Sequence, residues 1–265
     1  IVQAEHDPLA QCILISKDKK LINKVQLEII NQLKEIPRYS IAKKSILNNG
    51  ILIYINSDKK IDDLIIEFVD FPVIEYLDVG AGDGYRTKII AKAINAKKIT
   101  LLDNCYDMYK TSEFNNQISF INQDIQSYSC DKEYDIITCL WNVLGHVGNK
   151  VERFRSMQSM HSLLKPNGIL IIDVNNRFNI SHYGFLNVFK NRIESIFKRN
   201  DSGYFLVGLG DIRTKVYIHR PGEINEIASK VGFEVIEEKY IDYKTGLEVD
   251  ASSKGQLFYV LKKNN

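Results

Sequence analysis

Long apolar runs are missing from this sequence of 265 residues. No stretch approaches the roughly 20 apolar residues that a membrane-spanning helix needs. Residues 1–10 lack the charged and then apolar pattern of a secretory signal. The formal net charge of +2 is too small to point to a nucleic-acid partner. These absences predict a soluble chain without a transmembrane segment. Because the first residue is Ile and not Met, we expect a processed chain or a piece of a larger protein or complex.

Cysteine is also scarce. The four cysteines are Cys12, Cys105, Cys130 and Cys139. They are scattered and show none of the close pairings that are typical of metal sites or disulfide frameworks. The sequence therefore predicts free thiols in a reducing compartment, a cytoplasmic location and no metal site.

The hydrophobic patterning predicts an α/β fold of about one large domain. From residue 73 onward, β-branched apolar runs alternate with helical periodicity, which indicates a parallel sheet covered by helices on both faces. Predicted strands include 118–122, 134–140 and 169–174, and one predicted helix begins near residue 106. The last two apolar runs, 233–243 and 256–262, are joined only by a loop, so they should be antiparallel.

Residues 1–72 are predicted to form a small N-terminal α/β extension. Asn49 and Gly50 precede the apolar run 51–55, which is typical of a hairpin turn followed by a strand. Apolar residues then recur at helical spacing over 61–68, before Pro72. The second predicted domain covers 73–265.

The most informative segment is the glycine-rich stretch that follows the apolar run beginning at Val73. Gly80, Gly82 and Gly84 occupy alternate positions after the acid Asp78. Glycine adopts positive φ and carries no Cβ, so this pattern predicts a tight turn from a buried strand into a helix, with backbone open to a ligand. Asp103 ends the next predicted strand, where a carboxylate can accept hydrogen bonds from both ribose hydroxyls. The turn and this acid together predict a nucleoside site.

Two cofactor classes use such a site, and the glycine spacing separates them. Dinucleotide oxidoreductases prefer Gly-x-Gly-x-x-Gly, which lets the pyrophosphate approach the backbone. Here the spacing is Gly-x-Gly-x-Gly, and Asp83 within the turn would repel a pyrophosphate. A ligand with a sulfonium and an amino group tolerates nearby acids better.

The segment Asp78–Gly84 resembles the first motif of the class I, Rossmann-like S-adenosylmethionine-dependent methyltransferases. The resemblance continues in register over about residues 73–176. The further segments that are similar to family motifs are 103–108, 122–125, 134–140 and 163–172. Cys105 replaces a small hydroxyl residue and Asn167 replaces a glycine of those motifs. The family fold implied is a doubly wound, mostly parallel seven-stranded sheet with a C-terminal antiparallel pair.

The resemblance also implies S-adenosyl-L-methionine as the cofactor and a role for each matching residue. The glycines would face the methionine part, and Asp78 would lie near its amino group. Asp103 would hold the ribose, while Asp124 and the backbone of Ile125 would bind the adenine. Leu140, Trp141 and Asn142, at the end of the predicted strand 134–140, would form the floor below the sulfonium. The implied cofactor residues are Asp78, Gly80, Ala81, Gly82, Gly84, Asp103, Asn104, Asp124, Ile125, Leu140, Trp141 and Asn142.

The methyl acceptor is less well defined by the sequence. Methyl transfer from a sulfonium mainly requires alignment and exclusion of water, so a general base is not compulsory. Residues 177–220 form a long insertion rich in aromatic and basic residues, which we predict to be a cap over the acceptor. An amphipathic helix without a catalytic role remains an alternative, as does contact with a partner or a membrane surface. The candidate catalytic residues are His146, Tyr183 and His219.

Motifs of nucleic-acid methylases are missing from the expected positions. The sequence at the end of the predicted strand 134–140 is Leu-Trp-Asn-Val, without the Asn/Asp-Pro-Pro-Tyr/Phe of amino-group DNA methylases. The Lys-Asp-Lys-Glu set of ribose methylases is missing as well. The sequence therefore predicts a methyltransferase that modifies an O or N atom of a small or medium-sized acceptor. The alternative is a non-catalytic, methyltransferase-like binding or regulatory domain of a larger protein.

Overall fold

The computed structural model describes residues 51–105, 117–197, 203–209 and 212–264. The described helices are α1 (Ile51–Phe68), α2 (Tyr85–Ala93), α3 (Val143–His146), α4 (Lys150–Leu163), α5 (Ile180–Tyr183), α6 (Phe185–Phe197) and α7 (Glu223–Val231), with a 3-10 helix at Ile125–Ser127. The described strands are β1 (Glu75–Val79), β2 (Lys98–Leu102), β3 (Ile118–Ile121), β4 (Tyr134–Cys139), β5 (Leu164–Val174), β6 (Tyr204–Leu209), β7 (Ile212–Tyr217), β8 (Phe233–Ile241) and β9 (Gln256–Lys263).

Seven strands form one sheet in the order β3-β2-β1-β4-β5-β9-β8. Strands β1 to β5 are parallel, and the C-terminal strands are antiparallel. The predicted fold class, a mostly parallel seven-stranded sheet with flanking helices, is confirmed. The strand order reverses between β1 and β4, and ligands of such sheets bind beyond the carboxyl ends of the strands at this switch point.

The central strands are apolar because both faces of the sheet are covered. In β1, Leu77 pairs with Thr100 of β2 on one side and with Ile137 of β4 on the other. Leu77 and Ile137 have no exposed surface. Burial of one such aliphatic side chain contributes about 1.5–3 kcal/mol. This core fixes where β1 and β4 end, and therefore where the polar residues after them lie.

Two local predictions are wrong, one in the type of an element and one in the boundary of an element. Residues 51–55 belong to helix α1 and not to a strand. One helix runs from this segment through the polar residues 56–60 into the helical pattern of 61–68, and it satisfies the backbone of the whole segment locally. Strand β5 begins at Leu164 and not at 169, because Leu164 already pairs with Tyr134 of β4, before a register shift between Tyr134 and Ile136. Asn167 takes a φ of 65° in this irregular stretch. The helix predicted from residue 106 lies outside the described residues, as does most of the predicted extension 1–72.

The chain divides into two compact units. The sheet unit consists of Asp62–Val174, Gly222–Glu238 and Phe258–Asn265. The insert unit consists of Asn175–Pro221, Lys239–Leu257 and the described residues that precede Asp62. Within the insert unit, β6 and β7 form an antiparallel hairpin in which Tyr204 pairs with Tyr217. The predicted cap, 177–220, falls within this unit, and the domain boundary at residue 72 stays a prediction.

Candidate active site

The glycine turn after β1 is held against the end of β2. The backbone N–H groups of Gly80 and Ala81 donate to the carbonyl of Leu102, at 2.8 and 3.2 Å. Gly80, Gly82 and Gly84 have φ values of 71°, 56° and 69°. An L-amino acid with a side chain rarely adopts this region, so the three glycines are needed for the path of the chain. The turn predicted from the sequence is present at the expected place.

Asp103 joins this turn to the segment after β2. Its Oδ2 accepts a hydrogen bond from the N–H of Gly82 at 2.8 Å, and its Oδ1 accepts one from the N–H of Cys105 at 2.8 Å. Each carboxylate oxygen has a second lone pair, so these bonds leave capacity for ribose hydroxyls. The acid predicted as the ribose ligand therefore also fixes the conformation of the glycine turn.

The electrostatic surroundings of Asp103 are unfavourable for further negative charge. Burial raises the pKa of its carboxyl, and the N–H donors of Cys105 and Gly82 oppose that rise. The neighbouring carboxylates of Asp124 and Asp83 raise the pKa further. A cationic ligand reduces this repulsion, whereas a pyrophosphate increases it.

The predicted adenine residues lie beside one another. The side-chain amide of Asn104 donates to Oδ1 of Asp124 at 2.8 Å. Asp124 directly precedes the 3-10 helix, and its carbonyl accepts the N–H groups of Ser127 and Tyr128. Asn104 and Asp124 are exposed, whereas Ile125 is buried. This arrangement presents polar edges of the kind that can bind a purine amino group.

The carboxylate of Asp78 is bound by side chains of the protein itself. It is buried, and its two carboxylate oxygens accept hydrogen bonds from Thr138 of β4 at 2.6 Å and from Thr87 of α2. These bonds connect β1, α2 and β4 beneath the glycine turn. The predicted role of Asp78 near the cofactor amino group stays a prediction, and its two hydroxyl donors show that it also supports the turn.

The ionisation of Asp78 should affect folding stability. Burial raises its pKa to about 6, although the hydrogen bonds from Thr138 and Thr87 act in the opposite direction. The folded chain therefore holds this proton more tightly than the unfolded chain, whose aspartates titrate near pH 4. The contribution of Asp78 to stability is complete below about pH 4 and is lost as the pH rises to about 6.

The variant Asp78→Asn isolates this effect. At about 1.4 kcal/mol per pKa unit, the difference in unfolding free energy between wild type and variant should change by about 2 kcal/mol between pH 4 and 6, and by about 3 kcal/mol between about pH 3 and pH 7. Urea unfolding at several pH values measures this difference, with the variant gaining relative to the wild type. Two curves that remain parallel across the range would show that Asp78 does not titrate there.

The segment after β4 has an unusual backbone. Trp141 and Asn142 have consecutive positive φ values of 58° and 55°. Asp173, at the end of β5, accepts the N–H of Trp141 at its Oδ1 over 2.6 Å, and its carbonyl accepts the N–H of Asn142 at 3.1 Å. Leu140 is buried beside them. Two strained non-glycine residues in a row persist only where neighbouring contacts hold them, and such strain often occurs at functional sites.

Asp173→Ala should release this strained segment. Loss of a hydrogen bond to a charged acceptor typically costs about 1.5–3 kcal/mol, so we expect destabilisation of that size by urea unfolding. Trp141 is the single tryptophan of the chain, and its emission should therefore shift in the folded variant. Asp131→Ala, at an exposed loop acid, is the control. Unchanged emission and stability would contradict the proposed support.

The candidate catalytic residues are distributed over both units. His146 ends α3 in the sheet unit and is 4% exposed. Tyr183 ends α5 in the insert unit. His219, also in the insert unit, has no exposed surface, and its N–H donates to the carbonyl of Asn175 at 3.0 Å. Complete burial favours a packing role for His219.

The insert unit contains a network of buried asparagines directly after β5. The hydroxyl of Tyr243 donates to Oδ1 of Asn175, and the amide of Asn176 donates to the carbonyl of Gly255 at 2.8 Å. The N–H of Asn176 donates to Oε1 of Gln256. Helix α6 of the same unit exposes several apolar side chains: Phe185, Leu186, Phe189 and Ile193. The network connects the segment after β5 to residues 243–256, and α6 has an exposed apolar surface.

A family model for the methyltransferase domain matches residues 55–238, which is more than half of the chain. The chain belongs to this methyltransferase family. The prediction of a class I S-adenosylmethionine-dependent methyltransferase with that cofactor is confirmed.

Solved structures resemble the fold of this methyltransferase. Magnesium protoporphyrin IX methyltransferase (ChlM) from Synechocystis PCC 6803 is 17% identical, with a TM-score of 0.59, over 93% of this chain and 100% of that one. The CcbJ methyltransferase from Streptomyces caelestis is 14% identical, with a TM-score of 0.58, over 79% and 90% of the two chains. At such identities the likeness shows the fold alone.

The N-terminal part has a second similarity that the sequence analysis did not predict. A histidinol dehydrogenase family model matches residues 1–105. The histidinol dehydrogenase of Pelagibacter ubique (strain HTCC1062) is 56% identical over 101 residues, which are 38% of this chain and 22% of that protein. The histidinol dehydrogenase of Listeria monocytogenes serotype 4b is 40% identical over 77 residues, which are 29% of this chain and 17% of that protein. The chain thus spans about a fifth of the length of these curated relatives. The two family models overlap at 55–105, where β1 and β2 belong to the seven-stranded sheet and α2 connects them.

Several residues that support the site of this methyltransferase were missed. Two of them could have been identified from the sequence. Thr138 is a polar residue within an apolar strand, and Asp173 lies near the end of an apolar run as Asp78 does. Arg86 and Asp62 could not, because nothing in the sequence shows that they pair.

Within the described ranges, no group of three or more His, Cys, Asp or Glu residues could hold a metal ion. None of the helices described here is long and apolar enough to span a membrane.

Proposed function

We propose that this chain binds S-adenosylmethionine at the carboxyl edge of β1, β2 and β4 and transfers its methyl group to an O or N atom of a small or medium-sized acceptor. The observation that carries the proposal is the hydrogen bond between the carboxylate of Asp103 and the N–H of Gly82. The carboxylate that we propose as the ribose ligand thus contacts a turn that has glycine at three positions.

The packing of the turn against its own protein neighbours requires glycine at two positions. A Cβ added at Gly80 would lie 2.4 Å from Cγ2 of Val143, and one at Gly84 would lie 2.4 Å from Cδ1 of Leu101. Only glycine therefore leaves the observed path of the turn intact. We propose that this turn receives the methionine part of the cofactor. The residues proposed for the adenine and for the floor below the sulfonium are Asn104, Asp124 and Ile125, and Leu140, Trp141 and Asn142, respectively.

When bound, S-adenosylmethionine supplies an activated methyl group, so the protein needs mainly to align the acceptor and exclude water. His146 lies in the sheet unit and follows β4, which supports its candidacy as a proton acceptor. We propose that residues 177–220 select the acceptor. The exposed Phe185 and Phe189 of α6, whose rings stack at 6.0 Å, support an acceptor with apolar or aromatic surface.

A non-catalytic, methyltransferase-like domain of a larger protein or complex is the alternative. The similarity of residues 1–105 to part of histidinol dehydrogenases favours a larger parent. A cytoplasmic location is a further proposal, supported by the free thiols of Cys105, Cys130 and Cys139.

The two functions differ in turnover. The full chain is incubated with trideuteromethyl-labelled S-adenosylmethionine and a fraction of small metabolites, and mass spectrometry follows S-adenosylhomocysteine and labelled products. Catalysis predicts a labelled acceptor with wild type and none with Asp103→Ala. Cofactor binding without any labelled product would support the non-catalytic alternative, and lack of binding would contradict both functions.

A further inference from the structure

Helix α6 of the insert unit exposes a continuous apolar face. Phe185, Phe189 and Ile193 are spaced by four residues, so their side chains lie in one row along the helix. Leu186 lies beside this row, and the rings of Phe185 and Phe189 stack at 6.0 Å. The exposed fractions are 64% for Phe185, 80% for Leu186, 54% for Phe189 and 41% for Ile193. Adjoining apolar side chains with this much exposed surface are typical of an interaction site.

The apolar face is distinct from the side by which α6 packs. Val188 and Asn191 are buried, and their spacing of three residues places them on one side of the helix. At about 100° per residue, this buried side points well away from the row that contains Phe185 and Phe189. The apolar face is therefore a second surface of the helix, which its own packing does not use.

A cation lies at each margin of the apolar face. Lys190 directly follows Phe189, and it is exposed. Arg192 directly precedes Ile193, and it is exposed as well. Because successive helical residues are rotated by about 100°, the two cations fall on opposite margins of the face. The Cζ atom of Arg192 lies 4.9 Å from the centre of the Phe178 ring, a cation–π contact that orients the guanidinium and leaves it charged.

This combination of apolar surface and charge distinguishes between possible occupants. A helix that lies in the interface of a bilayer buries aromatic and aliphatic side chains below the headgroups and keeps Lys and Arg at the level of the lipid phosphates. Anionic lipids give the bilayer surface a negative potential, which attracts these cations. A second copy of the chain bound through the same face would instead bring cations against cations. The charges at the margins therefore favour an anionic lipid surface.

We propose that α6 binds this chain to the surface of an anionic lipid bilayer, with the apolar face in the headgroup region and with Lys190 and Arg192 beside lipid phosphates. The inference goes beyond the proposed function, because binding to lipid does not require methyl transfer. It is compatible with the acceptor proposed above, since a molecule with apolar surface also partitions into lipid.

Sedimentation of the full chain with lipid vesicles tests this inference. Vesicles of phosphatidylcholine alone are compared with vesicles that also contain phosphatidylserine, at equal lipid concentration. The wild type should bind the anionic vesicles at least about fivefold more strongly, because each Lys or Arg near an anionic surface contributes about fivefold in affinity. This preference should decrease as the salt concentration rises, since salt screens exposed charges.

Two substitutions at exposed positions test the two parts of the surface. Leu186→Asp should lower binding to the anionic vesicles at least about tenfold, because an apolar side chain no longer enters the lipid. Leu247→Asp, at another exposed leucine of the insert unit, is the matched control and should lower binding less than about threefold. Lys190→Glu should lower binding at least about fivefold, whereas Lys254→Glu, at an exposed lysine of the same unit, should lower it less than about threefold. Circular dichroism checks that every variant is folded.

The possible failures of this inference differ from those of the proposed function. Lack of vesicle binding by the folded wild type would overturn the inference, as would equal binding to both kinds of vesicle or equal losses in each variant and its control. A dimer that Leu186→Asp dissociates in analytical ultracentrifugation, without vesicle binding, would assign the apolar face to a second copy. Labelled methyl transfer without vesicle binding would overturn this inference alone, and vesicle binding without cofactor binding would contradict only the proposed function.

Discussion

Replacement of Asp103 by alanine is expected to lower the affinity for S-adenosylhomocysteine at least about a hundredfold. The ribose hydroxyls of the ligand would lose two hydrogen bonds to the carboxylate, each typically worth about 1.5–3 kcal/mol for a charged acceptor. A loss of about 1.4 kcal/mol corresponds to a tenfold loss of affinity. The substitution would also remove the acceptor of the Gly82 and Cys105 N–H groups, so the glycine turn would be less ordered. Calorimetric titration of wild type and variant measures the difference.

Asp83 provides the matched control. It has the same charge and lies in the same turn, but its Oδ1 accepts the N–H of Tyr85 and not that of a turn glycine. Asp83→Ala should change the affinity less than about fivefold. Asp103→Asn, which keeps an acceptor oxygen but loses the charge, should lie between the two. If Asp103→Ala remains folded and binds with the affinity of the wild type, the assignment of the ribose site is wrong.

Gly80→Ala is the second substitution with a large expected effect. Alanine at a φ of 71° costs about 1–2 kcal/mol. Its Cβ would meet both γ-carbons of Val143, at 2.4 and 2.7 Å, and such overpacking typically costs roughly 1–3 kcal/mol more. We expect the unfolding free energy to fall by about 2–5 kcal/mol, and cofactor binding to be lost because the turn must shift.

Gly222→Ala separates the two causes. Gly222 has a φ of 79°, but an added Cβ would find no atom within 4 Å. This variant should lose only the conformational part, about 1–2 kcal/mol, and should bind the cofactor normally. Equal destabilisation of the two variants in urea, with cofactor binding retained in Gly80→Ala, would show that the contact with Val143 does not constrain the turn.

The parts of this protein that the sequence predicted are those encoded by local spacing. Alternate glycines after an apolar run predicted the turn, because each positive φ is a property of one residue. Asp103 was predictable as the acid at the end of the next strand. The continuous apolar runs predicted parallel strands buried on both faces, and the structure confirms that sheet.

The parts that were missed depend on contacts between distant residues. Thr138 and Asp78 are 60 positions apart, and Arg86 and Asp62 are 24 apart. Periodicity and spacing report only on neighbouring residues, so they could not show which polar side chains would meet. The run 51–55 was assigned to a strand for a different reason: its β-branched residues suit either structure, and the helical segment that directly follows decides its conformation.

A crystal structure of the full chain with S-adenosylhomocysteine tests the central claim most directly. The account predicts ribose hydroxyls about 2.6–3.2 Å from the Asp103 carboxylate, with the homocysteine part against the backbone of Gly80–Gly84. Ligand bound elsewhere, with that carboxylate turned away from the ribose, would contradict it.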